Sequence, residues 1–284
     1  MKAFAEFRIP ERYAKQFLPA DLGKSFLNFT RIVRVPVESD LYIRIGELQK
    51  LFMSKYQDFF FLGWEYHRIY SPDELESAEL LLLKIKRTFE PAGEECGTIY
   101  DHGDICEDCG SGIRQVSDLI LDLHSIPKNV SIARTISNEI IMTDEMAKSL
   151  SDNYITGYEL KPVHGKNPRK KQNASTQQIW RQLFVNSVAN VSPITIAGND
   201  PFDLDEKNEY RCINGHTFAL NLLSELVIEK NSWDGSDFVR TKQLFGVNRG
   251  LLRTFSHIML SQKVYRLFSE YKFKGFTFEV VKLV

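Results

Sequence analysis

No stretch of this sequence stays apolar for long. The longest apolar runs, residues 59–64 and 80–83, fall far short of the about 20 residues that span a bilayer. The opening residues, Met1-Lys2-Ala3-Phe4-Ala5-Glu6-Phe7-Arg8, lack an apolar core and a small-residue cleavage site, so a secretory leader is not expected. Neither sign of charge dominates: 36 Lys and Arg stand against 37 Asp and Glu, a net charge of −1. A dedicated nucleic-acid binder carries a basic surplus, so nucleic acid is not the expected partner. Several catalytic motifs are also missing: a phosphate-cradling Gly-rich loop, Gly-x-Ser-x-Gly, the kinase set and His-Glu-x-x-His. Cysteine is scarce, four in 284 residues. Without a leader, such usage points to a reducing compartment, the cytoplasm. There a Cys-x-x-Cys is more often a metal site or redox pair than a disulfide.

What is present is an ordinary globular composition, 43% apolar and 26% charged, long enough for a sizeable core. The expected fold class is α+β. Residues 1–90 read as a β-rich N-terminal α+β domain. Residues 26–35 alternate β-branched and aromatic side chains, and Phe60, Leu62, Trp64 and Tyr66 recur at period two, both as strands do. Residues 41–56 carry Leu48, Leu51 and Phe52 at helical spacing. Ser71-Pro72-Asp73-Glu74 is a helix start with a capping box. Leu81, Leu83, Ile85, Arg87 and Phe89 then suggest a strand at period two.

Residues 91–163 hold a zinc-knuckle segment and a strand–helix–strand unit. Residues 164–178 form a polar, basic linker or loop. Residues 179–284 form a C-terminal domain, with a helix expected over 179–188. A second strand–helix–strand unit lies in this domain. Ile140-Ile141-Met142-Thr143, a helix of about ten residues, and a strand after Gly157 match Ile258-Met259-Leu260-Ser261, its helix and a strand after Gly275, 118 positions on with no gap. Thr143 and Ser261 stand at the N-cap positions. Met146 and Leu150 face the same way as Val264 and Phe268. The two glycines do not directly follow their helices, so close approach of a neighbouring strand is expected there rather than a helix cap.

The chemistry centres on Cys106-Glu107-Asp108-Cys109-Gly110. Two thiols three positions apart, closed by a glycine, make half of a tetrahedral zinc site. The more attractive second half is Cys212-Ile213-Asn214-Gly215-His216, one thiolate and one imidazole on a tight turn. The metal set is then Cys106, Cys109, Cys212 and His216, holding a structural Zn²⁺. The alternative is local: Cys96 and His102 complete the site by closing a shorter loop, at less loss of chain entropy. A redox pair fits less well, because Cys109-Gly110-Ser111-Gly112 is a poor helix start.

These motifs, together with the two strand–helix–Gly units, resemble bacterial immunity proteins of the double Cys-x-x-Cys-Gly motif family over residues 91–284. That family has two full motifs, whereas this chain has one. At Gly93-Glu94-Glu95-Cys96-Gly97 a glycine stands where the leading cysteine would be, which turns attention to Cys212 and His216. The resemblance implies a cytoplasmic protein that neutralises a toxin by binding it, not by catalysis. The competing expectation is a defence-associated enzyme or nucleic-acid-handling protein with a structural zinc.

Overall fold

Residues 2–10 form a strand whose alternate residues Ala5, Phe7 and Ile9 are fully buried. The computed structural model describes residues 1–166, 179–205 and 209–284. The basic linker expected over 164–178 lies almost wholly outside the described residues. The chain divides into two units: Met1–Glu74 with Asp200–Leu204, and Leu75–Asn199 with Asp205–Val284. The first division falls at Glu74 rather than at 90, for a reason given by the strand that follows.

In the first unit, β1 (Lys2–Pro10) runs between β3 (Thr30–Pro36) and β4 (Gly63–Ile69), with β2 (Lys24–Phe26) on the outer edge of β3. α1 (Glu11–Phe17) and α2 (Asp40–Leu51) join this sheet, and Ala14, Ile45 and Leu48 of these helices complete its core. Residues 26–35 are not one strand. Leu27 and Asn28 take positive φ and turn the chain between β2 and β3. Leu62 is 68% exposed, so the alternation expected from Phe60 onward begins only at Gly63. The capping box forms as expected ahead of α3 (Pro72–Ser77): Ser71 N donates to Glu74 at 2.8 Å and Glu74 N to Ser71 Oγ at 3.2 Å.

The second unit contains two six-stranded sheets. Its elements are β5 (Leu80–Ile85), β6 (Thr88–Phe89), α4 (Gly93–Cys96), β7 (Tyr100–Asp101), β8 (Arg114–Gln115), β9 (Leu119–Leu121), β10 (Ile132–Thr135), β11 (Ile140–Thr143), α5 (Asp144–Asp152) and β12 (Tyr158–Gly165). They continue with β13 (Trp180–Val185), β14 (Val188–Ala189), β15 (Ala197–Gly198), β16 (Thr217–Ala219), β17 (Asn221–Leu222), β18 (Val227–Ile228), β19 (Phe238–Thr241), β20 (Leu244–Phe245), β21 (Ile258–Ser261), α6 (Gln262–Glu270) and β22 (Phe276–Leu283). One sheet runs β6-β10-β11-β13-β12-β9 and the other β14-β19-β21-β5-β22-β18.

The two sheets match strand for strand, but each is completed by a strand from the other half of the unit. β13 lies between β11 and β12, with Ile141 opposite Gln182 and Tyr158 opposite Val185. β5 lies between β21 and β22, with Met259 opposite Leu82 and Phe276 opposite Ile85. The central strands are therefore exchanged. This is why β5 belongs to the second unit and not to an N-terminal domain ending at 90. It also explains two departures from the expected patterns. Central strands covered on both faces need not alternate, so Leu80, Leu81, Leu82 and Leu83 are all buried. For the same reason residues 180–185 are a strand, not the expected helix.

Two glycines lock the exchange. Gly157 has φ +84°, and a Cβ there would lie 2.1 Å from Phe238 O; Gly275 has φ +109°, and its Cβ would lie 2.4 Å from Ile132 O. Each glycine carbonyl accepts from the exchanged strand's exit, Asn186 N on Gly157 O at 3.0 Å and Lys86 N on Gly275 O at 2.8 Å. Close strand approach is thus the reason for both glycines. The helices α5 and α6 bury Met146, Leu150, Val264 and Phe268 in one shared core with Phe238 and Leu83. Full burial of each such side chain contributes about 1.5–3 kcal/mol. Their caps differ. Thr143 Oγ1 accepts from Met146 N at 3.3 Å, while Ser261 does not cap its helix and instead donates to Asp237 at 2.6 Å.

Candidate metal centre

The first pair of thiols sits on a short hairpin. β7 and β8 pair Tyr100 with Gln115 and Asp101 with Arg114, which brings the ends of the 102–113 loop together. Within it Gly110 N donates to Cys106 O and Cys106 N to Ser111 O, both at 2.7 Å, and Gly110 takes φ +71°. The turn presents both sulfurs on one side. The second pair precedes β16. Gly215 N donates to Cys212 O at 2.9 Å to close the turn, and Cys212 N donates to Thr217 Oγ1 at 2.6 Å to anchor it on the strand.

The two turns meet. Cys106 Sγ lies 3.6 Å from Cys212 Sγ, Cys109 Sγ 3.6 Å from His216 Nδ1, and Cys212 Sγ 3.7 Å from His216 Nδ1. All four donor atoms fall within 4.8 Å of one another. A tetrahedral ion with Zn–S near 2.3 Å and Zn–N near 2.0 Å implies edges of roughly 3.6–3.8 Å, which is what these contacts measure. A disulfide needs sulfurs at about 2.05 Å, and all four cysteines are free. Cys109 and Cys212 are buried, Cys106 half-buried and His216 exposed, so the site lies under the surface with the imidazole as its outer face.

Neighbours hold the two turns in register. Ile213 N donates to Asp108 at 3.1 Å, and the Asn214 amide donates to Cys106 Sγ at 3.4 Å. The Asn214 amide and the Cys109 backbone N–H favour the thiolate of Cys106 and bring it down to about 6, whereas burial pushes the Cys109 thiol up to about 12. With no cation, the cluster thus accommodates one thiolate readily and resists the next. A divalent cation held there would supply the charge that lets the remaining sulfurs ionise.

The alternative set is not assembled. Cys96 is buried at the end of α4, where it accepts from the Asp122 backbone, and burial raises its thiol. His102 does not join the cluster. Asp108 and Asn214 were not singled out by sequence reasoning. The available signal was their position inside the two turns, where a short polar side chain can reach across. No protein-family model, curated protein or solved structure matches this chain.

Proposed function

We propose that Cys106, Cys109, Cys212 and His216 hold a structural Zn²⁺, and that this protein works in the cytoplasm by binding and neutralising a partner protein, a bacterial toxin. The observation that carries the metal is the convergence of three sulfurs and one imidazole within 4.8 Å, with three of their contacts at tetrahedral edge lengths. A full set of four protein donors leaves no position for a reacting water, which favours a structural over a catalytic role. The toxin reading rests on the motif resemblance over residues 91–284. Its support in the first unit is an exposed apolar hairpin: Phe26, Leu27 and Phe29 are 54%, 73% and 81% exposed on the β2–β3 turn. Such a cluster suits a protein contact. No described helix is long and apolar enough to cross a membrane.

The test is binding of the purified full chain to a toxin encoded beside its own gene. A stoichiometric complex, weakened at least tenfold by Phe29→Asp with the metal content intact, supports the reading. A toxin that is absent from that position, or that shows no complex, ends it.

A further inference from the structure

A cleft of about 600 Å³ opens in the second unit and is lined by matching positions of its two halves: Arg134 and Arg240, Ile140 and Ile258, Leu83 and Leu183. The volume lies within the range of small-molecule sites. What distinguishes the cleft is its charge. Arg134 and Arg240 are both half-buried, and burial disfavours their charged forms. Among the described residues neither has a carboxylate partner.

Their hydrogen bonds go to neutral acceptors. Arg134 donates through Nε to Thr88 Oγ1 at 3.2 Å and through Nη1 to Asn138 Oδ1 at 3.3 Å. Arg240 donates through Nε to Val185 O at 3.0 Å and through Nη1 to Ser256 Oγ at 3.3 Å. A guanidinium has about five N–H donors, so each keeps about three unspent.

The acids of the cleft are already committed. Glu94 pairs with Arg253 at 2.8 Å. Glu139 accepts from Tyr100 Oη, Gly93 N and Thr135 Oγ1. His257 lines the same cleft and its Nε2 has no partner. Burial, then the charges of Lys84 and Arg134, hold its imidazole neutral, at about 3.

Arg134 also lies over the Phe255 ring at 5.9 Å, but two half-buried cations facing one cleft without counter-charge favour an anion there. A group of charge near −2 with several acceptor oxygens matches both the charge and the free donors, as a phosphoryl group does. Beside the arginines, Ile85, Ile140, Ile258 and Phe255 supply an apolar patch in an otherwise mixed wall. We propose that this cleft binds a phosphate monoester, its phosphoryl group held by Arg134 and Arg240 and its body by that apolar patch. This inference does not rest on the toxin reading, and the loop bearing Cys106 and Cys109 contributes residues 110–113 to the cleft.

The test is calorimetric titration of the full, metal-loaded chain at low salt with adenosine 5′-monophosphate, ribose 5-phosphate, inorganic phosphate, adenosine and succinate. We expect at least one of the two phosphate esters to bind more than tenfold tighter than adenosine or succinate. Which ester wins separates nucleotide from sugar phosphate, and inorganic phosphate should bind more weakly than the winner. Arg134→Gln and Arg240→Gln should each weaken that binding about tenfold or more, with Arg→Lys intermediate. Should a variant fail to fold, the unmodified chain gives a second readout: the bound ester should protect Arg134 and Arg240, but not exposed Arg12, from phenylglyoxal. Absence of binding by both esters, succinate binding as tightly, or unprotected arginines overturns the proposal.

Discussion

The two halves of the second unit, residues 80–165 and 180–283, share one framework and differ in what hangs from it. Registers coincide: Ile132 faces Met142 as Phe238 faces Leu260, and Arg134 faces Thr88 as Arg240 faces Val188. Each half lends its first strand to the other's sheet. Against this sameness, the first half carries a Cys-x-x-Cys turn and the second a Cys-x-x-x-His turn. Cys212 follows Cys106 by 106 positions, the spacing from β10 to β19. His216 follows Cys109 by 107, the spacing that separates Leu121 from Ile228 in the matching pairings. The donor pair in each half thus stands at corresponding places, with an imidazole in place of one thiol. The strand framework tolerates little change, because pairing fixes it. The turns have only to present a donor at one point.

Breaking the comparison at the metal should have the largest effect. Cys106→Ser and Cys212→Ser, one from each half, should destabilise equally, by about 4 kcal/mol or more, or about 10 °C in Tm, because metal-binding free energy is folding free energy. Cys96→Ser should leave the metal content unchanged. Calorimetric unfolding of the three variants checks this, and a large difference between the first two would break the equivalence.

The next largest effect should come from the glycines of the exchange. Gly157→Ala and Gly275→Ala each force a Cβ onto a carbonyl oxygen at positive φ. Each should cost about 3 kcal/mol in chemical denaturation. If one is tolerated, the strand exchange is not locked symmetrically.

The helix starts should sharpen the contrast, with smaller effects. Thr143→Ala removes a cap and should cost about 1 kcal/mol. Ser261→Ala removes only the bond its hydroxyl donates to Asp237, so Ser261→Thr, which keeps that donor, should lose little.

The smallest effect is one of pH. α5 opens with Asp144, held below its ordinary 3.8 by Lys148 and then Arg181, at 2.9 and 3.0 Å; α6 opens with Gln262. A depressed carboxyl contributes stability above its unfolded value that fades as pH falls below about 3.8. Asp144→Asn should therefore lower Tm at pH 7 and matter progressively less as pH falls below about 3.8, whereas Gln262→Ala should show no such dependence.

Local pattern carried much of this architecture. The amphipathic periods of α5 and α6, the capping box at Ser71 and the ligand-bearing turns all reside in a few adjacent residues. The 118-residue offset between the two units could be read by laying one segment over another. The strand exchange could not be read this way. Residues 180–185 lack a clear period because both faces are covered, and nothing near Leu80–Ile85 reveals that its partners are β21 and β22. The four donors were legible as two pairs, but their meeting depends on the turns that Asp108 and Asn214 hold. The arginine pair was invisible, since Arg134 and Arg240 acquire meaning only when the two sheets bring them to one cleft.

The central claim is that a cation joins the two halves through one pair of donors from each. Elemental analysis of the purified full chain tests it most directly, alongside Cys212→Ser. The account predicts about one zinc per chain, lost in the variant together with much of the thermal stability. A metal-free chain that melts no lower than a zinc-loaded one would contradict it.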